Sequence, residues 1–182
     1  MAERPITILA PTLERVLDGT CTRIRRPAGN SVLGRLKPGD HLWLREQFYL
    51  TRSFDFTPPL VALSRGAVPV YARDREVLPP YATADLGRRR FARELPKDWH
   101  RYHLEILAIR RERLHEIPDE DIASEGHESR ERYAAAWDAG VSLSGWADKW
   151  KADPEVLVIT FRAFAQPLPT YAHTPVKEGI AR

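Results

Sequence analysis

The sequence predicts a mixed α+β fold: a small β-barrel with a few short helices at its connections and a loop-rich middle. Three observations carry this. Apolar, β-branched runs are short and are cut by prolines and glycines. The helical patterns are also short and sit between those runs. Strands do not alternate regularly with long helices, as a parallel α/β sheet would require. At 182 residues, 43% hydrophobic and 29% charged, the chain is long enough for one domain with a proper core.

In chain order, "PITILA" is rich in β-branched residues and stops at Pro11, which predicts a strand over Ile6 to Ala10. "PTLERVLDG" puts Leu13, Val16 and Leu17 at helical spacing, with Thr12 as candidate N-cap and Gly19 as left-handed stop. A cationic strand, Cys21 to Arg26, follows; Arg23 and Arg25 share one of its faces and Ile24 points to the other. "KPGD" reads as a type II turn. After it, "HLWLREQFYL" alternates, with Leu42, Leu44, Glu46 and Phe48 on one face and Trp43, Arg45 and Gln47 on the other. Residues 56–95 read as a loop-rich insertion with a hairpin, whose clearest strand is Val68 to Ala72.

"HRYHLEILAIRRERLHEI" is a long extended segment. Leu104, Ile106 and Ala108 read as core-facing, while the competing Leu107 and Ile109 indicate a bulge or a strand buried on both faces. "IPDEDIASEG" has a proline start, acids in the first turn and a glycine end, which describes a brief helix. "ESRERYAAAWDAG" predicts a second, with Tyr133, Ala136 and Trp137 on one stripe, and "EVLVITFRAF" is a continuous apolar strand. Residues 1–165 therefore form one domain, and 166–182 an extended C-terminal arm.

Lys and Arg number 28 against 25 Asp and Glu, a net charge of +3 and an isoelectric point near 9.2. That balance permits a polyanionic partner without requiring one. Most of the positive charge is arginine, whose planar guanidinium suits bidentate phosphate contacts. Cys21 is the single cysteine, so neither an intramolecular disulfide nor a cysteine-based zinc site can close within the chain. The N-terminal stretch carries acids and prolines and lacks the apolar run of a leader or membrane span. The expectation is a cytoplasmic protein without membrane association, metal or other cofactor.

Four stretches, "VLDGTCTRIRR", "KPGDHLWLREQF", "LPKDWHRYHLEILAIRRERLHEIPDEDIASEG" and "WKADPEVLVITFRAF", resemble in that order the landmarks of ASCH-domain proteins, the activating-signal-cointegrator homology group. The likeness is strongest to bacterial and prophage versions and spans roughly residues 6 to 164. It implies a PUA-like barrel with a cleft that binds RNA or modified nucleosides, and a few members are hydrolases or nucleases. In members resembling N4-acetylcytidine amidohydrolase, a lysine, a threonine and a glutamate line the cleft. Here Glu125 matches the glutamate, but Cys21 stands at the lysine position and Ile24 at the threonine position. Thr22 could replace that hydroxyl only through a register slip.

The candidate catalytic residues are thus Glu125, Thr22 and Cys21. A thiolate at Cys21 would depend on the positive field of Arg23, Arg25 and Arg26, with no histidine placed by sequence as its base. The candidate nucleic-acid contacts are Arg23, Arg25, Arg26, Arg45, Lys97, Trp99 and Arg101, with Trp99 as the base-stacking platform. Arg88 to Arg90 add a second basic cluster. His100 and His103, three apart in an extended segment, point to opposite faces and make no metal motif. The leading expectation is a module for RNA or single-stranded or modified nucleic acid. The alternatives are a hydrolase of RNA or a modified nucleoside, and a prophage interaction protein whose proline-rich middle and tail bind a protein partner.

Overall fold

The computed structural model describes residues 1–30, 32–141 and 145–168. It is a mixed α+β structure built on five strands: β1 (Glu3–Ile6), β2 (Arg23–Pro27), β3 (His41–Leu44), β6 (His103–Arg113) and β7 (Glu155–Phe164). Their order in the sheet is β1-β3-β6-β7-β2; β1 runs parallel to β3 and every other neighbouring pair is antiparallel. The two edge strands contribute Ile6 and Ile24 to one apolar core with Leu104, Ile106, Leu157 and Ile159.

The apolar run of β7 has two faces because both are covered. Leu157, Ile159 and Phe161 enter that first core, while Val156 and Val158 join a second one with Leu114, Ile117, Ile122, Tyr133 and Trp137. On β6 the register shifts between Ile106 and Ala108, so Leu107 is the extra residue and is exposed. The bulge is the correct reading of that segment. It turns Ala108 outward, and Ile109 packs against the core in its place.

The helices α1 (Thr12–Leu17), α4 (Asp119–Ser124) and α5 (Arg130–Gly140) are short connections. Thr12 does not cap α1; its Oγ1 donates to the carbonyl of Glu125 at 3.0 Å and ties α1 to the end of α4. Gly19 takes the expected left-handed conformation, φ +83°. On α5, Tyr133 and Trp137 are buried at i, i+4 spacing, whereas Ala136 faces solvent. β1 is displaced from the expected Ile6 to Ala10 because its ladder with β3 ends at Ile6–Leu44.

The expected strand over residues 41–50 divides. β3 pairs with β6, then the chain turns so that β4 (Phe48–Tyr49) pairs with β5 (Val70–Tyr71). Leu42, Leu44, Glu46 and Phe48 are nevertheless all buried, as their alternation requires. The insertion is less irregular than its prolines imply: α2 (Pro59–Ser64) and α3 (Pro80–Thr83) both begin on proline. A third core of Phe48, Leu50, Ala62, Tyr71, Leu95 and Trp99 holds the insertion against β4. Arg90 supports it from within, donating to the carbonyls of Phe54, Asp55 and Thr57.

Of the expected arm, Gln166 and Leu168 are docked: the Gln166 carbonyl bonds His103 and the Leu168 N–H donates to His100. His100 precedes β6 rather than lying in it, and both imidazoles serve this docking. Residues 169–182 of the arm lie outside the described residues. Among the described residues no helix is long and apolar enough to cross a membrane.

Candidate functional site

The cationic strand β2 meets α4 at a buried ionic cluster. Arg25 lies opposite Val158, which lies opposite Arg110, so the guanidinium reaches across β7 to Glu112 on β6. Asp121 and Glu125 stand one helical turn apart on α4 and its C-cap, facing the same side. Arg25 closes on all three acids: Nε to Glu112 Oε1 at 2.7 Å, Nη2 to Asp121 Oδ2 at 2.7 Å and Nη1 to Glu125 Oε1 at 3.4 Å. Burial opposes its charge, but the bonds to Asp121 and Glu112 outweigh burial and lift its pKa above the usual guanidinium value.

Arg25 is therefore a core ion, 1% exposed, and does not face phosphate. Arg23 shares its face, as the alternation predicts, and is half-exposed with Nη1 3.1 Å from Asp121. Glu112 and Asp121 complete the cluster and were missed in the sequence. The i, i+4 spacing of Asp121 and Glu125 was a visible signal for one of them, whereas Glu112 depends on strand order.

Glu125 is 5% exposed. Burial pushes its pKa up to about 7, against the pull of Arg25 and Arg26 and with repulsion from Asp121. The chain leaves it through Gly126 at φ +86°, where a Cβ would meet Pro11 at 3.1 Å. Arg26 points away from Arg25 along β2. Its Nη1 donates to the Arg25 carbonyl at 2.7 Å and its Nη2 to the Thr7 carbonyl at 3.1 Å, toward the exit of β1. It is partly buried and, among the described residues, forms no ion pair with a carboxylate. Burial lowers its pKa, with Glu125 and Tyr133 acting in the opposite sense.

Among the described residues, neither of the two other catalytic candidates is hydrogen-bonded to Glu125. Cys21 is 1% exposed and its thiol donates to the Arg23 carbonyl at 3.0 Å. Burial, reinforced by the charge of Glu125, raises its pKa to about 12; the expected lowering fails because the carboxylates of the cluster outweigh Arg25. Thr22 is exposed, and no side-chain hydrogen bond among the described residues joins it to Glu125.

The remaining expected contacts lie elsewhere. Trp99, 8% exposed, packs edge-on against Phe48 in the third core, and its carbonyl accepts from Tyr71 Oη, so it offers no free face to a base. Arg101 clamps Glu46 at 2.8 Å and Asp74 at 2.5 Å and lies 3.8 Å over the Tyr71 ring. Burial opposes its charge, but these acids raise its pKa. Lys97 is ion-paired with Glu3. These three residues fasten the insertion and β1 and do not present cations to a ligand. Arg45 is different: it stacks 5.0 Å from the Trp43 ring, its N–H donates to Ile6, and its buried Nε has no hydrogen-bond partner among the described residues.

The expected single pocket thus separates. Glu125 with Asp121, Arg23 and Arg25 forms one group, Arg26 is held on backbone carbonyls of Arg25 and Thr7, and Trp99 with Arg101 belongs to the packing of the insertion. Arg26 and Arg45 both approach the end of β1, through Thr7 and Ile6 respectively. Comparison of the chain with protein-family models, with curated proteins and with solved structures gave no match.

Proposed function

We propose that this chain is a nucleic-acid-binding module of the ASCH, PUA-like type, its sheet curled so that β1 and β2 border a cleft for RNA or a modified nucleotide. One observation carries the reading: Arg26 is held by two backbone carbonyls rather than by an acid, so its charge is oriented but not neutralised. A guanidinium so placed suits a phosphate oxygen. A reducing cytoplasm would suit the chain's single thiol.

Titration of labelled single-stranded RNA at two salt concentrations tests this. Affinity is expected to fall as salt rises, and Arg26→Gln to weaken binding several-fold and flatten the log–log salt slope by about 0.7. Binding that is absent, or indifferent to salt, would overturn the proposal.

A second reading, hydrolysis of an acylated nucleoside, is favoured by the pKa of Glu125 near neutrality, the range that suits a general acid or base. With Cys21 inert, the attacking group would be water. Turnover of N4-acetylcytidine by the intact chain that disappears in Glu125→Gln is the expected result; turnover surviving that change would remove Glu125 from the chemistry.

A further inference from the structure

Several arginines of the chain are spent on carboxylates at short range. Arg25, Arg101, Arg111 and Arg130 each have an acid oxygen at 2.8 Å or closer. Three arginines of the insertion without a close acid converge on one open cavity of about 590 Å³, lined by Arg73, Arg75, Arg89, Tyr49, Ala72 and Glu76. Arg75 lies 5.1 Å over the Tyr49 ring and donates to its hydroxyl at 3.3 Å. Arg89 is held by the side-chain amide of Gln47. Arg73 has only a loose partner, Glu14 at 3.9 Å, itself about half exposed.

Each guanidinium is therefore steered by a ring, an amide or a distant acid, and among the described residues none is closely neutralised. With Glu76 as the one carboxylate in the lining, the cavity wall carries an excess of two positive charges. Like charges gathered on one wall repel, and a bound anion relieves that cost. The open volume is larger than one phosphate needs.

We propose that Arg73, Arg75 and Arg89 form a phosphate-binding site in the insertion, taking linked phosphate groups across the floor provided by Tyr49. The guanidinium forks meet phosphate oxygens in pairs of parallel N–H···O bonds. The site is separate from the Arg26 cleft and does not depend on it. Its ligand class, linked phosphates, is shared by the backbone of a nucleic acid and by a free oligophosphate.

Inorganic triphosphate and an abasic deoxyribose-phosphate decamer are the two probes, each titrated by calorimetry into the intact chain and into Arg75→Gln/Arg89→Gln. The expected result is binding of at least one probe, weakened tenfold or more in the double variant and unchanged in Arg132→Gln, which alters an exposed arginine of α5 outside both sites. Capture of the decamer alone identifies a nucleic-acid backbone, and capture of triphosphate identifies a free oligophosphate. Melting temperatures within about 2 °C of the unsubstituted chain confirm that the exposed substitutions leave the fold intact. Should the double variant melt lower, Arg73→Gln is read in its place. No binding of either probe, or equal binding by the double variant, overturns the site. Loss in Arg26→Gln alone assigns phosphate to the cleft and overturns it equally.

Discussion

Replacing Arg25 with methionine is expected to lower the free energy of unfolding at neutral pH by about 3–5 kcal/mol, the range for breaking a buried ion pair by removing one partner. The side chain is fully enclosed, and its loss leaves Glu112, Asp121 and Glu125 facing one another with the central cation gone. Desolvated carboxylates in contact cannot all remain ionised, so the variant must take up protons or admit water. Two controls sharpen the result. Adding Asp121→Asn and Glu125→Gln to Arg25→Met should recover much of the loss, because the uncompensated charge is then removed as well. Lowering the pH should also narrow the deficit. Urea unfolding with an unchanged m-value measures both; a loss below about 1 kcal/mol, the level of an exposed ion pair, would show that the cluster is hydrated and that Arg25 is free for other work.

This cluster also shows where sequence reading stops. Alternation placed Arg23 and Arg25 on one face of β2 and Ile24 in the core, and that face was correct. What lay opposite was not legible, because it depends on β7 separating β2 from β6 and on α4 lying over the same face. An arginine facing water and one facing three acids have the same local pattern. The same ambiguity misplaced Trp99 and Arg101. "PKDWHR" looks like an exposed basic turn with an indole, but Phe48 of β4 and Tyr71 of the insertion cover it.

Features set by local chemistry were readable. These are the left-handed glycines at Gly19 and Gly126, the β6 bulge announced by competing apolar residues, and the short α4 and α5. The cavity of Arg73, Arg75 and Arg89 was only half visible. Arg88 to Arg90 stood out as a basic run, yet Arg88 meets Glu94 and Arg90 is buried among carbonyls, leaving Arg89 alone at the surface site.

The second large effect is a dependence of stability on pH that belongs to Glu125. Its proton is held up to a pKa of about 7 in the folded chain, against an ordinary value of 4.5. Between those values the native state carries more protons than the unfolded one, so the free energy of unfolding falls as pH rises. The stabilisation is fully present below about pH 4.5 and is lost as pH climbs through 7. A shift of this size corresponds to about 3 kcal/mol across the window. The groups that set it are Arg25 and Arg26, which favour the carboxylate, and burial and Asp121, which oppose it.

Glutamine cannot titrate, so Glu125→Gln removes this component and leaves every other ionisation in place. The difference in unfolding free energy between the two chains, measured by urea at intervals from pH 4.5 to 8.5, should drift by about 3 kcal/mol in favour of glutamine at the alkaline end. The charge of Glu125 also acts on Arg26, whose pKa it raises against the effect of burial. A neutral Glu125 leaves the charge of Arg26 uncancelled, whereas the carboxylate formed above pH 7 offsets it, so RNA affinity should decline over this range in the unsubstituted chain and stay level in Glu125→Gln. A flat stability difference would mean that Glu125 is ionised throughout, and the coupling between its proton and Arg26 would fall with it.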